Sequence, residues 1–273
     1  MKDRKIFEYR CSDLYLHHTL SSEPDPSDFS FKSHSHNMVE IYYFLRGNAC
    51  FAIEGNVYEL APGNVTVMAC GQTHNLLLSD SAPYERIALL LDPSLLSSEY
   101  ELLDEAIHTG NSLFTLTEAE QIWFQQSIHI IQNAAESSRS LLIRHFAAAL
   151  FTLLASKLDT QDRKIADSEP PAVKAVIEYI NRHLADELSL DIIAKALYSN
   201  KVSLNRKFHE IMGCSIWEYI LRRRTFAARQ RLYFSGSISD AFEHSGFRDY
   251  STFFRAYKKY VGLSPSEDLK KAK

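Results

Sequence analysis

Near the C-terminal end of the 273-residue chain, one pattern of residues occurs twice at a fixed spacing. Its first copy reappears 49 residues later; the corresponding positions are Arg206, Phe208, Gly213, Ser215 and Glu218, followed by Arg255, Tyr257, Gly262, Ser264 and Glu267. Chance rarely matches so many positions at one offset, so the pattern predicts two copies of one structural unit. The segment between the copies contains few helix breakers and predicts one helix that holds the units apart.

The first copy has the pattern of two helices joined by a short turn. Ser189 is a suitable N-cap for a short helix, and a turn is expected at residues 199–200. The following helix directs Leu204 and Phe208 inward at helical spacing. A helix-turn-helix outline alone is weak evidence, because many helical proteins contain such a pair. Its recurrence is what makes the prediction strong.

The opposite face of each second helix is polar and basic. In the second unit, a helix that starts after Asp249 turns Phe253, Tyr257 and Tyr260 to one side. Arginine can pair with guanine, asparagine with adenine, and a small apolar side chain can contact a thymine methyl group. The candidate DNA-contacting residues are therefore Lys201, Val202, Ser203, Asn205, Arg206, Tyr250, Ser251, Phe254 and Arg255. The arginines at 222–224 are expected on a solvated helix face.

Charge is divided unevenly along the chain. Residues 171–273 contain 18 Lys and Arg against 11 Asp and Glu, a balance of +7, whereas residues 1–170 contain 12 against 23, a balance of −11. The basic part is suited to a polyanionic partner. A polar segment at 157–171, which ends in Pro170 and Pro171, predicts a linker between two domains.

The segment GFRDYSTFFRAYKKYVGLSP, residues 246–265, is similar to the signature G-F-x-x-x-S-x-F-x-R-x-[FY]-K-x-x-x-G-x-[ST]-P of the AraC/XylS family of bacterial transcription regulators. This resemblance implies a tandem helix-turn-helix domain at 172–273 whose recognition helices, starting at 201–206 and 250–255, contact successive major-groove segments of double-stranded DNA. Arg224 matches an arginine that is common in the family's connecting helix, and the resemblance implies a structural or phosphate-facing role for it rather than a base contact. Two residues depart from the family pattern. Phe242 and Phe254 stand where the family usually has smaller residues.

The N-terminal part changes to a period of two. Five short β-rich runs, separated by Gly, Pro and Asn, predict a barrel or jelly roll over residues 1–95. They are VEIYYFLRG, ACFAIEG, NVYELAPG, NVTVMACG and YERIALLLD. Within the predicted barrel, IEGNVYEL suits a hairpin with its turn at Gly55 and Asn56. The fold class predicted for the whole chain is α+β: a cupin-like barrel with a helical dimerisation segment, and an all-α tandem helix-turn-helix.

Two stretches of the predicted barrel resemble the cupin motifs, with Ala69 in place of the usual proline. Strand alternation would place His34, His36 and Glu40 on one face, and the second motif adds His74. These four side chains could bind a small polar effector, with a sugar as one candidate. The first alternative is a divalent transition metal, and the second is that they are barrel-mouth residues that neighbours and water satisfy.

Residues 96–156 predict helices with Thr117 and Ser138 as candidate N-caps. The second helix is apolar over much of its circumference, Leu150 included, which is more than one face on a small barrel requires. A homodimer formed through these helices is therefore expected, as the resemblance also implies.

Other classes are disfavoured. The four cysteines are far apart, and neither a signal peptide nor a run of about 18 apolar residues is present, so a cytoplasmic, nucleoid-associated bacterial protein is expected. The combined pattern predicts a ligand-responsive transcription regulator, with an activator favoured and RNA polymerase as a partner in that case. No residue is assigned a catalytic role. The alternative is a metal-dependent cupin enzyme with a helical appendage, using the same four side chains.

Overall fold

The computed structural model of the protein describes residues 3–25, 34–96, 98–108, 110–158 and 171–271. The strands are β1 (Asp3–Arg10), β2 (Leu14–Ser21), β3 (Val39–Arg46), β4 (Ala49–Ile53), β5 (Asn56–Glu59), β6 (Asn64–Met68), β7 (His74–Leu78), β8 (Tyr84–Leu91) and β9 (Leu113–Thr115). The helices are α1 (Ser98–His108), α2 (Glu118–Asn133), α3 (Glu136–Ser156), α4 (Pro171–Arg182), α5 (Leu190–Ala196), α6 (Lys201–Met212), α7 (Ile216–Ser235), α8 (Ile238–Glu243), α9 (Tyr250–Val261) and α10 (Pro265–Lys271).

Two antiparallel sheets form the N-terminal half. The larger has the strand order β1-β2-β8-β3-β6-β9, and the smaller has the order β5-β4-β7. Alternation along β3 sends Tyr42 and Phe44 into a core shared with Phe51 and Leu76 of the smaller sheet. Ile41 and its alternates face the other way, into a core shared with the helices. The larger sheet is therefore buried on both faces.

The β4–β5 hairpin differs from the prediction by one residue. Its turn is formed by Glu54 and Gly55, and Asn56 already pairs with Ile53. Both turn residues have positive φ, 50° at Glu54 and 80° at Gly55. This geometry suits a two-residue hairpin but is unfavourable for a glutamate, at a cost of about 1–3 kcal/mol. Contacts elsewhere in the molecule must therefore hold Glu54 in this position.

The helices α1–α3 cover the outer face of the larger sheet. Thr117 caps α2 in a capping box with Glu120, as predicted, but α3 begins at Glu136, so Ser138 lies within its first turn and is not the cap. The expectation that Leu150 faces a second protomer is wrong. Leu150 is fully buried in its own protomer, in the core that α3 shares with the barrel, and both α1 and α2 pack against α3. By length and composition α3 could span a membrane, but its buried side chains belong to this core.

Most of the predicted linker, residues 159–170, lies outside the described residues, between the end of α3 and the start of α4. Beyond it, Ser189 caps α5 and Asn200 caps α6. Arg224 is buried rather than on a solvated face, and its guanidinium donates hydrogen bonds to the carbonyls of Leu184 and Asp186, which is a structural contact.

The apolar cores do not follow the two halves of the sequence. The first helix-turn-helix unit, α4 to α6 with the start of α7, has a core of its own. Buried side chains of the second unit, including Phe253 and Tyr257, belong instead to one continuous cluster with the barrel and α1–α3. Phe226 of α7 is part of this cluster. The second unit is thus the one joined to the barrel by apolar packing.

Candidate functional site

The structure brings together the four side chains predicted from the cupin-like motifs. His34 is not in a strand. It forms an isolated bridge with His74, in which each amide donates to the other's carbonyl at 3.0 and 2.9 Å. The rings of His34 and His36 have their centroids 4.4 and 5.0 Å from that of His74. Glu40, on the inward face of β3, approaches His36 Nε2 at 2.9 Å and His74 Nε2 at 3.4 Å. Bridging to β7, rather than strand alternation, therefore gathers this cluster.

Backbone carbonyls orient two of the imidazole rings. His36 Nδ1 donates to the carbonyl of Met38 at 2.9 Å, and His74 Nδ1 donates to that of Gln72 at 3.0 Å. Both rings therefore present Nε2 to Glu40. Burial would raise the pKa of the Glu40 carboxyl, but the hydrogen bond with His36 and the close approach of His74 outweigh it and hold the pKa well below its usual range. Glu40 is consequently an anion between imidazoles.

A metal ion is compatible with this arrangement. The nitrogens that His34, His36 and His74 can offer lie within 4.8 Å of one another. Imidazole is a suitable ligand for zinc, copper, iron and nickel, and a carbonyl on the far nitrogen is the usual orienting partner of a metal-binding histidine. These three histidines could hold a divalent cation, with Glu40 beside them.

Sequence reasoning missed a row of polar side chains deeper in the barrel. Cross-strand pairing places Thr66, Tyr42, Ala88 and His17 side by side, and Tyr42 and Ala88 face the smaller sheet. Arg86 pairs with Thr19 in the next row. The signal was available, since a polar residue within a buried strand, such as Thr66 in NVTVM, is unusual.

Several of these side chains have buried polar atoms with no hydrogen-bond partner in the part of the chain that is described: His17 Nδ1, Thr19 Oγ1, Tyr42 Oη, Thr66 Oγ1 and Arg86 Nη1. Burial, and then the charge of Arg86, lower the pKa of His17 to about 4, so its imidazole is neutral at pH 7. Buried polar atoms are costly unless they form hydrogen bonds, so a cluster of them can bind a polar partner favourably. The barrel interior is therefore suited to a polar ligand.

The repeated positions can now be separated by what each does. Phe208 and Tyr257 are fully buried, and Gly213 and Gly262 end α6 and α9 in the left-handed region. Ser215 forms a capping box with Glu218. Ser264 and Glu267 form equivalent hydrogen bonds at the start of α10.

Arg206 and Arg255 alone among the repeated positions have no such structural contact. Both are exposed. The guanidinium of Arg206 lies 3.8 Å from Glu210, and that of Arg255 makes long hydrogen bonds of 3.3 and 3.5 Å within its own helix. Solvent-facing arginines at equivalent places on two similar helices suit a shared external partner.

The other predicted DNA contacts are placed as follows. Lys201, Val202, Tyr250, Ser251 and Phe254 are exposed, and Ser203 is half-buried.

Asn205 differs from these, because its Oδ1 accepts a hydrogen bond from the amide of Ile216 at 3.0 Å. The oxygen of Asn205 is thus engaged within the fold, and its amino group remains to donate. Phe242, one of the two departures, packs against Tyr250 and Phe253 with ring centroids 5.6 Å away, while Ala241 takes the buried place.

The helix α7 lies against the barrel mouth. The Arg222 guanidinium donates to Ser35 Oγ at 3.1 Å and to Thr73 Oγ1 at 2.5 Å, and Tyr219 donates its hydroxyl to Glu54. Burial raises the pKa of the Glu54 carboxyl. Arg223 is 4% exposed and contacts His108 at 2.9 Å, so the expectation of a solvated face at 222–224 is wrong for this residue too.

A second polar contact joins α7 to the barrel further along the helix. Arg229 donates to Asp268 at 2.8 Å, to Asp92 at 3.1 Å and to the carbonyl of Asn37 at 3.0 Å. Both Arg229 and Asp268 are almost fully buried. This network therefore ties the second helix-turn-helix unit to the end of β8 and to the segment that carries His36.

Comparison with known proteins also divides the chain into an N-terminal barrel domain and a C-terminal helix-turn-helix part. Residues 21–151 match the model of an AraC-like ligand binding domain, and residues 193–271 match that of a helix-turn-helix domain. A lactose operon transcription activator from Staphylococcus xylosus is 21% identical over 231 residues, which cover 83% of this chain and 82% of that protein. The transcriptional activator AarP of Providencia stuartii is 31% identical over 105 residues, covering 38% of this chain and 78% of that protein.

Among solved structures, ToxT from Vibrio cholerae is similar, with 14% identity, coverage of 94% of this chain and 98% of that chain, and a TM-score of 0.39. Taken with the barrel, the two helix-turn-helix units and the exposed arginine of each, the sequence matches show that the chain belongs to the AraC family of transcription regulators.

Proposed function

We propose that this protein is an effector-responsive activator of transcription that binds double-stranded DNA in a sequence-specific way. The proposal rests on two exposed arginines, Arg206 and Arg255, which occupy equivalent positions on α6 and α9. The other repeated residues make contacts within the fold. With the two arginines, Lys201, Val202, Ser203, Asn205, Tyr250, Ser251 and Phe254 form the proposed DNA-contacting surface. RNA polymerase is the further partner that activation requires.

Selection of DNA from a pool of random duplexes by the full chain tests this proposal. The retained sites should contain two conserved segments about 10 base pairs apart, because successive major-groove segments on one side of DNA are separated by one helical turn. Affinity should fall steeply with rising salt as phosphate counterions are released. A salt-independent affinity, or no retained duplex at low salt, would contradict the proposal.

The effector is proposed to be a small polar molecule that binds between the histidine cluster and the barrel interior. His34, His36, Glu40 and His74 lie at one end of this site, and the unsatisfied atoms of Tyr42, Thr66 and His17 line its interior. Hydroxyls, imidazoles and a guanidinium together are suited to a hydroxyl-rich ligand. A sugar is the first candidate, since one relative is named as a lactose operon activator.

Thermal denaturation with a panel of mono- and disaccharides tests the effector class. A sugar that binds the native state should raise the melting temperature, with a stabilisation that grows as the logarithm of its concentration once this exceeds Kd. His74→Ala should abolish this shift, whereas His129→Ala, on the exposed face of α2, should keep it. An equal rise in melting temperature in both variants would show that the histidine cluster does not contribute to the effector site.

A divalent metal is the second candidate occupant, because three imidazoles converge within 4.8 Å. Equilibrium dialysis against Zn²⁺ separates it from the first. One bound Zn²⁺ per chain, lost in His74→Ala and kept in His129→Ala, would establish a metal at this site; absence of binding would leave it to the organic effector.

The protein is further proposed to be a cytoplasmic homodimer without catalytic activity. Exposed apolar side chains of α2 and α3, Ile122, Ile130 and Leu141, support contact between protomers. The cytoplasm is where its DNA target lies and where regulators of this family act. The sequence matches are to regulators, and they lend no support to a metal-dependent cupin enzyme.

A further inference from the structure

One face of α7 runs along the mouth of the barrel. Tyr219, Arg222, Phe226 and Arg229 are spaced three or four residues apart, so they project from the same side of the helix. All four contact the barrel domain. We call this set the docking stripe. It belongs to the helix on which both DNA-binding units pack.

The docking stripe holds the segment that carries two of the clustered histidines. Arg222 donates to Ser35 Oγ at 3.1 Å, and Arg229 donates to the carbonyl of Asn37 at 3.0 Å. Ser35 and Asn37 are the two neighbours of His36 in the chain. Any displacement of His36 must therefore move, or be resisted by, the two arginines of α7.

The third histidine of the cluster is held through Thr73, its neighbour. Arg222 donates to Thr73 Oγ1 at 2.5 Å, and the amide of Thr73 donates to Glu54 Oε1 at 2.5 Å. The other oxygen of Glu54 accepts the hydroxyl of Tyr219. Thr73 is thus connected to the docking stripe both directly and through Glu54, and this double connection accounts for a glutamate in the left-handed region at the hairpin turn.

The loop 70–73 packs closely against both α7 and the segment 34–37. The Cβ that any other residue would add at Gly71 would lie 2.2 Å from the ring of Phe226, and the amide of Gly71 donates to the carbonyl of His36 at 2.8 Å. Real Cβ atoms do not approach so closely. Loop 70–73, segment 34–37 and α7 therefore form one contiguous packed unit.

We propose that Arg222 couples the histidine site to DNA binding, by sharing hydrogen bonds between α7 and the residues next to His34, His36 and His74. This inference rests on the proposed function. The signal passes through the docking stripe and does not require the segment 157–171. Because coupling between two sites is reciprocal, DNA bound to the recognition helices must in turn alter the histidine site.

Reciprocity allows a test without knowledge of the effector. Hydrogen exchange of the full chain is measured by mass spectrometry, with and without a duplex obtained by the selection described above. The variants are Arg222→Gln and a matched control, Arg231→Gln, which removes the same charge from the same helix at an exposed pair with Asp240. The peptides of interest cover residues 34–37 and 71–76.

In the wild type and in Arg231→Gln, DNA should change the exchange rate of these peptides by about fivefold or more, the lower range of typical coupling. In Arg222→Gln the change should fall below about twofold while the duplex remains bound. Tyr219→Phe, which removes only a hydroxyl from a buried ring, should reduce the change in the same direction, and it decides the matter if Arg222→Gln does not fold.

Three results would overturn the proposal. The first is an equal DNA-induced change in Arg222→Gln and Arg231→Gln, and the second is no change in a wild type that binds the duplex. The third is loss of duplex binding by a folded Arg222→Gln, which would assign Arg222 to DNA itself. Failure of the wild type to retain any duplex is a different outcome, since it would remove the proposed function and this inference with it.

Discussion

Two arginines on the surface of α6 and α9, Arg206 and Arg255, are the residues on which we propose that DNA recognition depends. Every other repeated position is used within the fold, in a buried ring, a glycine helix end or a capping box. An exposed arginine retained in both copies is therefore best explained by an external contact. Stability and recognition are separable at these positions.

Arg206→Ala should leave the unfolding free energy nearly unchanged, because the side chain is exposed and its one ion pair is long, at 3.8 Å. If Arg206 pairs with guanine, affinity should fall by about 1–3 kcal/mol at one base position only. If it holds a phosphate, affinity should fall equally on all sequences. Fluorescence anisotropy on a set of single-base variants of the selected site distinguishes the two, and unchanged affinity throughout would exclude both.

Tyr198, in the turn before α6, has a φ of 49° and is 99% exposed. A non-glycine residue in this region is strained, and nothing buried compensates the strain here. Tyr198→Gly should therefore raise the free energy of unfolding by about 1 kcal/mol. The control Ser199→Gly, where φ is not positive, should lower it, since glycine adds only unfolded-state entropy. Urea unfolding measures both, and a loss of stability in Tyr198→Gly would contradict the strain argument.

At the scale of helices and strands, local signals were sufficient where hydrogen bonds are local. Caps at Thr117, Ser189 and Asp249 follow from side chains that bond their own helix within three residues. Strands β3 to β6 and β8 follow from alternation and turn residues. By contrast β1, β2, β7 and β9 were not predicted; β7 begins at a histidine and pairs with β4, which lies more than 20 residues earlier in the chain.

In the candidate site, too, features with a local sequence signal were predictable and contacts between distant residues were not. Residue types at the barrel mouth were predictable from two short motifs, but the contact of Arg222 with Thr73 joins residues 149 positions apart and has no local signature. Likewise the basic run 222–224 gave no sign that Arg223 is buried, because its contacts are with Asn181 of α4 and His108 of α1, both distant in the chain.

The helices α2 and α3 allow a prediction about assembly. Leu141 is 59% exposed, whereas Leu150 is fully buried. Leu141→Glu should keep the unfolding free energy close to that of the wild type and should weaken binding to paired sites more than binding to a single site. Leu150→Glu should lower the unfolding free energy by several kcal/mol, because an unpaired charge enters the core. Fluorescence anisotropy with paired-site and single-site duplexes measures the first effect, and urea unfolding measures the second. A dimer that persists in Leu141→Glu by sedimentation would place the interface elsewhere.

At the scale of the whole molecule, the network around Arg229 makes the free energy of unfolding depend on pH. Burial would raise the pKa of the Asp268 carboxyl, but Arg229, Tyr233 and Tyr257 donate to it and hold the pKa below its ordinary value of 3.8. A depressed pKa contributes stability that is present above the unfolded value and lost as the pH falls through the folded value.

The melting temperature should therefore fall as the pH is lowered below about 4. Asp268→Asn should start from a lower melting temperature at neutral pH and decline less steeply, because the group that titrates is gone. Glu178→Gln, at an exposed pair with Arg182 on α4, is the control and should follow the wild type. Parallel curves for the wild type and Asp268→Asn would show that this network does not govern acid sensitivity.

Only the second helix-turn-helix unit shares an apolar core with the barrel, and this limits which parts of such regulators can be exchanged. A fusion made within 159–170 would appear to swap one sensor for another, yet it would leave Phe226 facing a foreign loop in place of Gly71. The second helix-turn-helix unit should therefore be inherited, or engineered, together with its barrel. The helices α5 and α6 pack into a core that is separate from the barrel. Grafts that replace these two helices and keep α7 with its docking stripe should alter the recognised sequence while keeping the response to effector.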